Sequence, residues 1–314
     1  MYESDYSTVA VIMSTYNGEL YLKEQLDSIL TQDGVKVKIF IRDDGSTDIT
    51  PEILSEYADK YNNVIFSNPD NRINLGVKDS FLSLLKEVSN NNPHIEYFAF
   101  ADQDDVWKSD KLSAAVNMIE KQHADAQKPV LYYSNKTFVD KNLKTISEES
   151  IKYYGDFFEI LWPSLASGCT MVFNRILAEY SVRNMPDDLF IHDSWVYRLA
   201  KVCGTNIVFD PQSHILYRQH NNNVCGISAT KTLKLSSFVK LFSKRRHISQ
   251  KMISELAELN GDIIMDACKI SIETVLNYNK DIRSWLCLAT EPLAFKRGVV
   301  MYLSWLARLL FLRL

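Results

Sequence analysis

The sequence lacks the features that mark several common protein classes. Its formal net charge is −4, which disfavours a general nucleic-acid binder. Its five cysteines include no CxxC pair, so no zinc site is expected, and the odd number favours buried thiols in a reducing compartment. No window holds the roughly 18 uncharged apolar residues of a spanning helix, and no basic segment followed by an apolar run indicates a signal peptide. We therefore expect a cytoplasmic protein that has no nucleic-acid partner.

Glycine-rich phosphate loops are also missing. The ten glycines form neither a GxxxxGK[ST] nor a GxGxxG pattern, which disfavours both P-loop enzymes and dinucleotide-binding enzymes. What the chain does have is length and apolar content, with 314 residues of which 46% are hydrophobic. This is enough to bury a core and to form one large domain with a smaller one.

The first third of the chain alternates short apolar runs with helical patterns. A continuous apolar run is typical of a parallel strand that is covered on both faces. Repeated strand–helix units of this kind predict an α/β fold whose mostly parallel sheet is flanked by helices. Strands are expected at Val9–Met13, Val37–Arg42, Val64–Ser67 and Tyr97–Ala101, with helices at about Val77–Val88 and Lys111–Gln122.

The rest of the chain divides into an irregular middle and a helical end. We predict strands at Val130–Ser134 and Cys169–Phe173, and two further strands in "NIVFD" and "HILYRQH". The segment "DSWVYRLAKVCG" predicts a helix that ends at Gly204. Only helical patterns follow from about residue 231. We therefore place a boundary near residue 228, between an α/β domain at 1–228 and a helical region at 229–314.

Three of the predicted strands end in polar clusters. "VAVIM" runs into Ser14–Gly18, "VKIFIR" into Asp43–Ser46, and "YFAFA" into Asp102–Asp105. Ligands of open α/β sheets bind at the carboxyl ends of the strands, so all three clusters should lie on one rim. A single cluster has an ordinary alternative as a turn or helix cap, but carboxylates this close repel one another unless a cation neutralises them. Hard oxygen ligands fit Mg²⁺ or Mn²⁺, which usually bridges carboxylates to the phosphates of a substrate.

These segments, in this order and spacing, resemble the family 2 glycosyltransferases of the GT-A fold. "VAVIMSTYNGELYLKEQLDSILTQ" resembles the opening strand and helix of the family, "IRDDGSTDIT" its nucleotide-binding turn, and "FADQDDVW" its DxD segment. "SGCTMVFNR", "HDSWV" and "YRQHNNNVCG" resemble the later motifs of the bacterial rhamnosyltransferase-like branch. The resemblance covers roughly residues 7–228 and implies a Rossmann-like GT-A domain with a C-terminal helical extension.

The resemblance also implies a role for each matched residue. Asp193 would be the catalytic base, and Asp104 would bind the metal, with His220 completing the metal site. The nucleotide sugar would be bound by Ser14, Thr15, Tyr16, Asn17, Asp43, Asp44, Asp102, Gln103 and Arg218. The acceptor side would comprise Trp107, Gly168, Cys169 and Trp195.

Each role has a plainer alternative. Asp193 lies at a predicted helix start, where it could cap the helix. His192 stands before it, where many relatives have glutamate, and is a rival base because a histidine pKa near 6.5 suits neutral pH. His220 could instead order the asparagine-rich loop that follows, and Arg218 could pair with a carboxylate. The two tryptophans could be core residues, as large aromatics often are.

The function implied by the resemblance is an inverting, metal-dependent glycosyl transfer from a nucleotide-diphospho-sugar. The motif set favours dTDP-L-rhamnose as the donor and a lipid-linked bacterial surface polysaccharide precursor as the acceptor. A transferase of the same fold that uses a UDP-hexose is the first alternative. The second is a non-catalytic carbohydrate-binding protein, against which the intact DxD segment, Asp193 and His220 count.

The C-terminal stretch mixes apolar and basic residues. A pattern typical of a helix in a membrane interface is formed by Trp305, Leu306, Leu309, Leu310 and Phe311 together with Arg308 and Arg313. The basic stretch "KTLKLSSFVKLFSKRRH" at residues 231–247 favours attraction to anionic lipid or to a lipid-diphosphate acceptor. We therefore expect peripheral association with the inner face of the cell membrane. The alternative is packing of this helix on its own domain or on a second subunit of a homodimer.

Overall fold

The computed structural model describes residues 6–122, 127–151, 157–161, 166–186, 191–220, 248–291 and 299–310. The predicted domain boundary near residue 228 and the basic stretch 231–247 lie outside these residues. Within the described ranges, no helix has the length and apolar character that crossing a membrane requires.

A mixed sheet forms the centre of the described fold. Its strands are β1 (Thr8–Thr15), β2 (Lys36–Asp43), β3 (Val64–Phe66), β4 (Tyr97–Ala101), β5 (Val106–Trp107), β6 (Val130–Val139), β7 (Thr145–Glu148), β8 (Val172–Asn174) and β9 (Asn206–Arg218). They lie in the order β3-β2-β1-β4-β8-β6-β9-β5, and β7 pairs with β6 outside this row.

Parallel pairing brings the three polar clusters to one edge of the sheet. Strand β1 lies between β2 and β4, and residues Val9–Met13 are fully buried, as their continuous apolar run predicts. Met13 is level with Ile41 and with Ala101, so the three strands end side by side. The predicted α/β fold with helices around a parallel sheet is confirmed. Antiparallel pairs of β8 with β4 and β6 make the remainder of the sheet mixed.

Helices cover both faces of this sheet. They are α1 (Leu22–Leu30), α2 (Thr50–Lys60), α3 (Val77–Asn91), α4 (Lys111–Gln122), α5 (Arg175–Arg183) and α6 (His192–Val202). One hydrophobic cluster packs α3, α5 and α6 on one face and includes Phe81, Leu177 and Leu199. A second cluster packs α1, α2 and α4 on the other face and includes Leu26 and Leu112. Each helix thus buries one apolar stripe against the sheet.

The strand predicted at Cys169–Phe173 begins later than expected. Residues Gly168–Thr170 form a single 3₁₀ turn. The backbone N–H of Thr170 donates to the Ser167 carbonyl at 2.9 Å, and its hydroxyl donates to the same oxygen at 2.8 Å. These local bonds hold the chain in a turn, so strand pairing starts only at Val172.

The two strands predicted in "NIVFD" and "HILYRQH" are one continuous strand, β9. Its pairing with β6 shifts register between Asp210 and Ser213, and this bulge accommodates Pro211 inside the strand. Strands β5 and β7 and helix α5 were not predicted. Helix α5 has a recognisable start, because the side chain of Asn174 accepts the backbone N–H of Leu177 at 3.2 Å.

The described C-terminal helices pack on the α/β domain. They are α7 (Ile248–Asn260), α8 (Asp266–Asn277), α9 (Ile282–Ala289) and α10 (Val299–Leu310). The backbone N–H of Met265 donates to the Val202 carbonyl at 3.0 Å. Gly204 lies beside this contact with a φ of 64° at the predicted end of α6. A Cβ at Gly204 would lie 1.4 Å from the Met265 sulfur, so the close approach of the C-terminal region requires glycine here.

Helix α10 faces the core with part of its apolar surface. Trp305 is 2% exposed, and its Nε1 donates to the Leu288 carbonyl at 2.7 Å. Leu309 is 0% exposed. These two side chains therefore pack on the protein itself rather than at a membrane interface, whereas Leu303 and Leu310 are exposed.

Candidate active site

A cavity of about 640 Å³ opens where β1, β2 and β4 end side by side. Its wall contains most of the residues predicted to bind substrate or metal, namely Ser14, Thr15, Tyr16, Asn17, Asp44, Asp102, Gln103, Asp104, Gly168, Cys169, Asp193 and His220. The three polar clusters therefore share one rim. The predicted residues that lie away from this wall are Asp43, Trp107, Trp195 and Arg218.

The loop after β1 is held from two sides. Oε1 of Gln103 accepts the backbone N–H of Tyr16 at 2.8 Å, and Nε2 of Gln103 donates to the Tyr16 carbonyl at 2.9 Å. Asn17 adopts a φ of 49°, and its Oδ1 accepts the backbone N–H of Thr47 at 2.9 Å. The loop is thus tied to the other two clusters, while the Tyr16 ring stays half exposed at the cavity.

The two adjacent aspartates after β2 have different surroundings. Asp43 is fully buried, and its carboxylate accepts the Thr15 hydroxyl at 3.0 Å and the backbone N–H of Ser46 at 2.9 Å. It stabilises the turn and does not reach the cavity, which corrects the prediction that it binds the nucleotide. Asp44 lines the cavity. Its two oxygens accept the backbone N–H groups of Leu75 and of the next residue at 2.7 and 2.9 Å, immediately before α3.

The acidic run after β4 divides into cavity-facing and buried carboxylates. Burial, together with the charges of Asp104 and Asp193, raises the pKa of Asp102 to about 7. Burial also raises the pKa of Asp105 well above its ordinary value. Asp104 faces the cavity, and its Oδ2 lies 2.7 Å from Nε2 of His220. The carboxylates on the cavity wall therefore repel one another.

A divalent cation fits the cavity-facing part of this run. The potential ligand atoms of Asp102, Asp105 and Cys169 lie within 4.8 Å of one another. Burial raises the pKa values of Asp105 and Cys169 well above their ordinary values and so disfavours the ionised forms with which they would bind a metal. Asp104 and His220 instead offer a carboxylate and an imidazole on the cavity wall. A cation there would relieve the crowding that raises the pKa of Asp102.

Arg218 does not reach the cavity. It is 1% exposed, its Nε donates to the Asp104 carbonyl at 2.8 Å, and its Nη1 donates to the Lys141 carbonyl at 2.8 Å. The guanidinium also pairs with the Glu24 carboxylate and lies 4.4 Å from the centroid of the Tyr21 ring. This corrects the prediction that Arg218 contacts the nucleotide sugar. It fixes the acidic run against α1 by pairing with a carboxylate, which is the alternative role that the sequence suggested.

Both tryptophans predicted on the acceptor side are core residues. Trp107 is 3% exposed, and Nζ of Lys111 lies 3.8 Å from its ring centroid. Trp195 is 1% exposed, and its Nε1 donates to the Ser181 carbonyl at 2.9 Å. The two rings belong to the hydrophobic clusters on opposite faces of the sheet, so neither can stack on a sugar in the cavity.

Asp193 lies in the first turn of α6 and faces the cavity. Its Oδ2 accepts the backbone N–H of Gly168 at 3.0 Å, and its Oδ1 accepts the backbone N–H of Ser194 at 2.5 Å. The cap position of the helix is occupied by Ile191, so Asp193 is not the N-cap. A Cβ at Gly168 would lie 3.3 Å from the Cβ of Asp193, so a glycine lets this backbone approach the carboxylate closely.

The rival base, His192, is packed between aromatic rings. Its ring stacks on Phe81 with centroids 4.0 Å apart and meets Phe100 edge-on at 4.8 Å. Burial lowers the pKa of His192 to about 4. Neither ring nitrogen has a hydrogen-bond partner within the described residues. His192 is 3% exposed between these rings, whereas the Asp193 carboxylate is oriented at the cavity by two backbone N–H groups, so Asp193 is the stronger candidate.

A lysine on the cavity wall was not predicted from the sequence. The strand predicted to end at Ser134 continues to Val139, and Lys136 within this extension lines the cavity. Its Nζ donates to the Ser167 hydroxyl at 2.5 Å and lies 3.6 Å from Oε1 of Glu149. The apolar pair "FV" beyond the lysine was the available signal that the strand continues.

The described fold is of the GT-A type, and two solved structures share it. The chain has the fold of TarS from S. aureus with a TM-score of 0.55 and 15% identity, covering 91% of this chain and 75% of that one. It is also similar to the mannosyltransferase PcManGT of Pyrobaculum calidifontis, solved in complex with GDP-Man and Mn²⁺. That match has a TM-score of 0.50 and 19% identity and covers 98% of this chain and 81% of that one.

Sequence similarity identifies the family. The profile described as Glycosyl transferase family 2 matches residues 10–181. The dTDP-rhamnosyl transferase RfbG of Shigella flexneri is 32% identical over 260 residues, which cover 80% of this chain and 85% of that protein. An uncharacterized glycosyltransferase of Rickettsia typhi is 25% identical over 273 residues, with 80% and 78% covered. The chain therefore belongs to glycosyl transferase family 2 and is a glycosyltransferase, similar in sequence to a rhamnosyl transferase.

Proposed function

We propose that the protein is an inverting, metal-dependent glycosyltransferase that moves L-rhamnose from dTDP-L-rhamnose to a lipid-linked bacterial surface polysaccharide precursor. The observation that carries this proposal is a single cavity lined by Asp102, Asp104 and Asp193, with His220 beside Asp104. The similarity to the rhamnosyl transferase of Shigella flexneri supports the donor. A UDP-hexose is the second candidate donor, because TarS, which has a related fold, has been solved with UDP-GlcNAc.

The nucleotide end of the cavity is built by the loop after β1 and by Asp44. In the proposal, Asp44 hydrogen-bonds the base, Asp102 faces the ribose, and the half-exposed Tyr16 ring forms a wall. Asp104 and His220 hold the divalent cation at the diphosphate. When bound, the cation stabilises the negative charge of the departing diphosphate as a Lewis acid.

Asp193 serves the acceptor end of the cavity. Its carboxylate takes the proton of the acceptor hydroxyl as that oxygen attacks the anomeric carbon. A single displacement of this kind inverts the anomeric carbon. The backbone N–H groups of Gly168 and Ser194 orient the carboxylate, and Gly168 and Cys169 form the wall between donor and acceptor.

Release of free nucleotide from a panel of nucleotide sugars, with and without Mn²⁺, tests the proposal. We expect turnover of dTDP-L-rhamnose that EDTA abolishes, and loss of both turnover and Mn²⁺ binding in Asp104→Asn. Asp59→Asn, a change of an exposed aspartate on α2, is the matched control. Turnover confined to UDP-hexoses would replace the donor, whereas full activity in EDTA would refute the metal dependence.

The helical region 229–314 is proposed to attach the catalytic domain 1–228 to the anionic inner face of the membrane. Leu303 and Leu310 on α10 are 58% and 64% exposed, which leaves apolar surface available. Replacing both by serine should weaken co-sedimentation with phosphatidylglycerol vesicles. The control is Leu259→Ser, because Leu259 on α7 is 43% exposed. A concentration-dependent dimer that the double variant abolishes, without any vesicle binding, would favour the homodimer contact instead.

A further inference from the structure

Lys136 brings a positive charge to the cavity wall. Among the described residues that line the cavity, it is the one with a lysine or arginine side chain. Its side chain is 11% exposed, so the ammonium lies at the cavity rather than in bulk solvent. Burying a lysine in this way is unfavourable unless both its charge and its N–H groups are matched.

Three neighbours hold the ammonium in place. The Ser167 hydroxyl accepts at 2.5 Å, Oε1 of Glu149 lies at 3.6 Å, and the Tyr217 ring centroid lies 4.7 Å from Nζ. Glu149 is tied to the same strand, because its backbone N–H donates to the Lys136 carbonyl at 3.0 Å. Glu149 thus pairs with Lys136, whose charge also opposes the larger effect of burial, which raises the pKa of Asp102. An ammonium has three N–H donors, of which Ser167 accepts one while Glu149 lies at ion-pair distance, so the remaining donor capacity suits a neutral acceptor such as a hydroxyl.

The ammonium lies on the Asp193 side of the cavity. Its hydrogen-bond partner Ser167 directly precedes Gly168, whose backbone N–H holds the Asp193 carboxylate at 3.0 Å. In a single displacement, the donor's sugar lies between the base and the metal-bound diphosphate. The Lys136 ammonium is linked to Asp193 through Ser167 and Gly168. Its N–H groups therefore meet the sugar rather than the diphosphate.

We infer that Lys136 binds a hydroxyl group of the donor's sugar and helps to determine which sugar is transferred. This inference rests on the proposed function. A hydrogen bond from a charged donor to a substrate hydroxyl is lost when either partner is removed, and its loss should lower kcat/KM by roughly 10- to 100-fold. Because the proposed partner of Lys136 is a hydroxyl of the sugar, binding of the nucleoside diphosphate, which lacks that sugar, should not depend on this lysine.

The experiment compares the nucleotide sugar that the wild type prefers with its single-deoxy analogues. The variants are Lys136→Met, Lys136→Arg and the control Lys86→Met, which changes an exposed lysine on α3. We expect Lys136→Met to lower kcat/KM for the full donor and for every analogue except the one that lacks the contacted hydroxyl. Lys136→Arg should recover part of the activity. The affinity for the nucleoside diphosphate, measured by calorimetry, should match the wild type and also shows that each variant is folded.

Three outcomes would overturn the inference. Equal losses on all donors would mean that Lys136 only supports the wall of the cavity. Weaker binding of the nucleoside diphosphate to Lys136→Met would place the lysine at the diphosphate. Wild-type turnover by Lys136→Met would show that Lys136 does not contact the substrate. These results differ from a wild type that turns over no nucleotide sugar, which would refute the proposed function itself.

Discussion

Replacing Asp193 by asparagine keeps the size of the side chain and removes its basicity. The hydrogen bonds of Asp193 determine how much stability this substitution costs. Both carboxylate oxygens accept backbone N–H groups, from Gly168 at 3.0 Å and from Ser194 at 2.5 Å. An asparagine amide has one acceptor oxygen and one NH₂ donor, so either orientation places the NH₂ against one of these N–H groups. One N–H then loses its partner, which costs about 1–3 kcal/mol of the free energy of unfolding.

This loss of stability can be measured separately from the effect on turnover. Each kcal/mol lowers the thermal midpoint by about 2–4 °C in proteins of 150–250 residues, so we expect a midpoint some degrees below the wild type. Far below the midpoint the variant remains folded, and a loss of stability alone leaves turnover intact. If Asp193 is the general base, turnover should fall by about 10²- to 10⁴-fold. The affinity for dTDP should stay unchanged, because the proposal places the nucleotide at the Asp44 end of the cavity.

Gly168→Ala is the control that moves the base without changing its chemistry. The new Cβ would lie 2.9 Å from Nε2 of His192 and 3.3 Å from the Cβ of Asp193, so the carboxylate must shift slightly. We expect a smaller loss of turnover than in Asp193→Asn, measured by nucleotide release. If Asp193→Asn keeps more than about a tenth of the wild-type turnover, the assignment of the base is refuted.

Three further substitutions probe the surroundings of the cavity. Arg218→Lys should weaken Mn²⁺ binding and lower the free energy of unfolding by about 1–3 kcal/mol, because an ammonium cannot reach both carbonyls and Glu24. Calorimetry measures the Mn²⁺ affinity, and urea unfolding measures the stability. His192→Phe should keep most of the turnover, since the imidazole is buried and neutral; an inactive but folded variant would contradict this. Hydrogen bonding to Asp210 raises the pKa of His214, and the Asp110 carboxylate 3.1 Å from Nδ1 raises it further, so the stabilisation from His214 is complete below pH 6.5 and is lost as pH rises through the raised value. His214→Gln should therefore destabilise the protein more at acidic than at alkaline pH in urea unfolding, and equal losses would contradict this.

Elements with a strong local pattern are the ones that the sequence predicts well. The strand at Tyr97–Ala101 and the helix at Lys111–Gln122 have the expected bounds, because an apolar run and a helical period depend on neighbouring residues alone. The strand at Cys169–Phe173 is mispredicted, because the apolar pattern contains no sign that the Ser167 carbonyl captures two hydrogen bonds from Thr170. The short strands β5 and β7 offer too few residues for any period to be visible.

Side-chain direction is harder to predict than position. Asp43 and Asp44 are neighbours at a strand end, yet one is enclosed by the turn and the other lines the cavity. An arginine is a typical ligand of a diphosphate. The guanidinium of Arg218, however, binds Glu24 and two backbone carbonyls from segments distant in sequence, and it is therefore buried. Trp195 is buried by the packing of α5 and α6, which no local pattern encodes.

The distribution of charge on the cavity wall favours binding of a cation over binding of a diphosphate alone. Burial raises the pKa of Asp105 well above its ordinary value and so disfavours its charged form. Asp102, Asp104 and Asp193 remain on the wall, and Lys136 also pairs with Glu149. The charges of Asp104 and Asp193 accordingly raise the pKa of Asp102, after the larger effect of burial. A diphosphate would add further negative charge to this cavity, whereas a divalent cation at Asp104 and His220 both relieves the repulsion and attracts the diphosphate. In the proposed function, metal binding would therefore make the donor site electrostatically favourable.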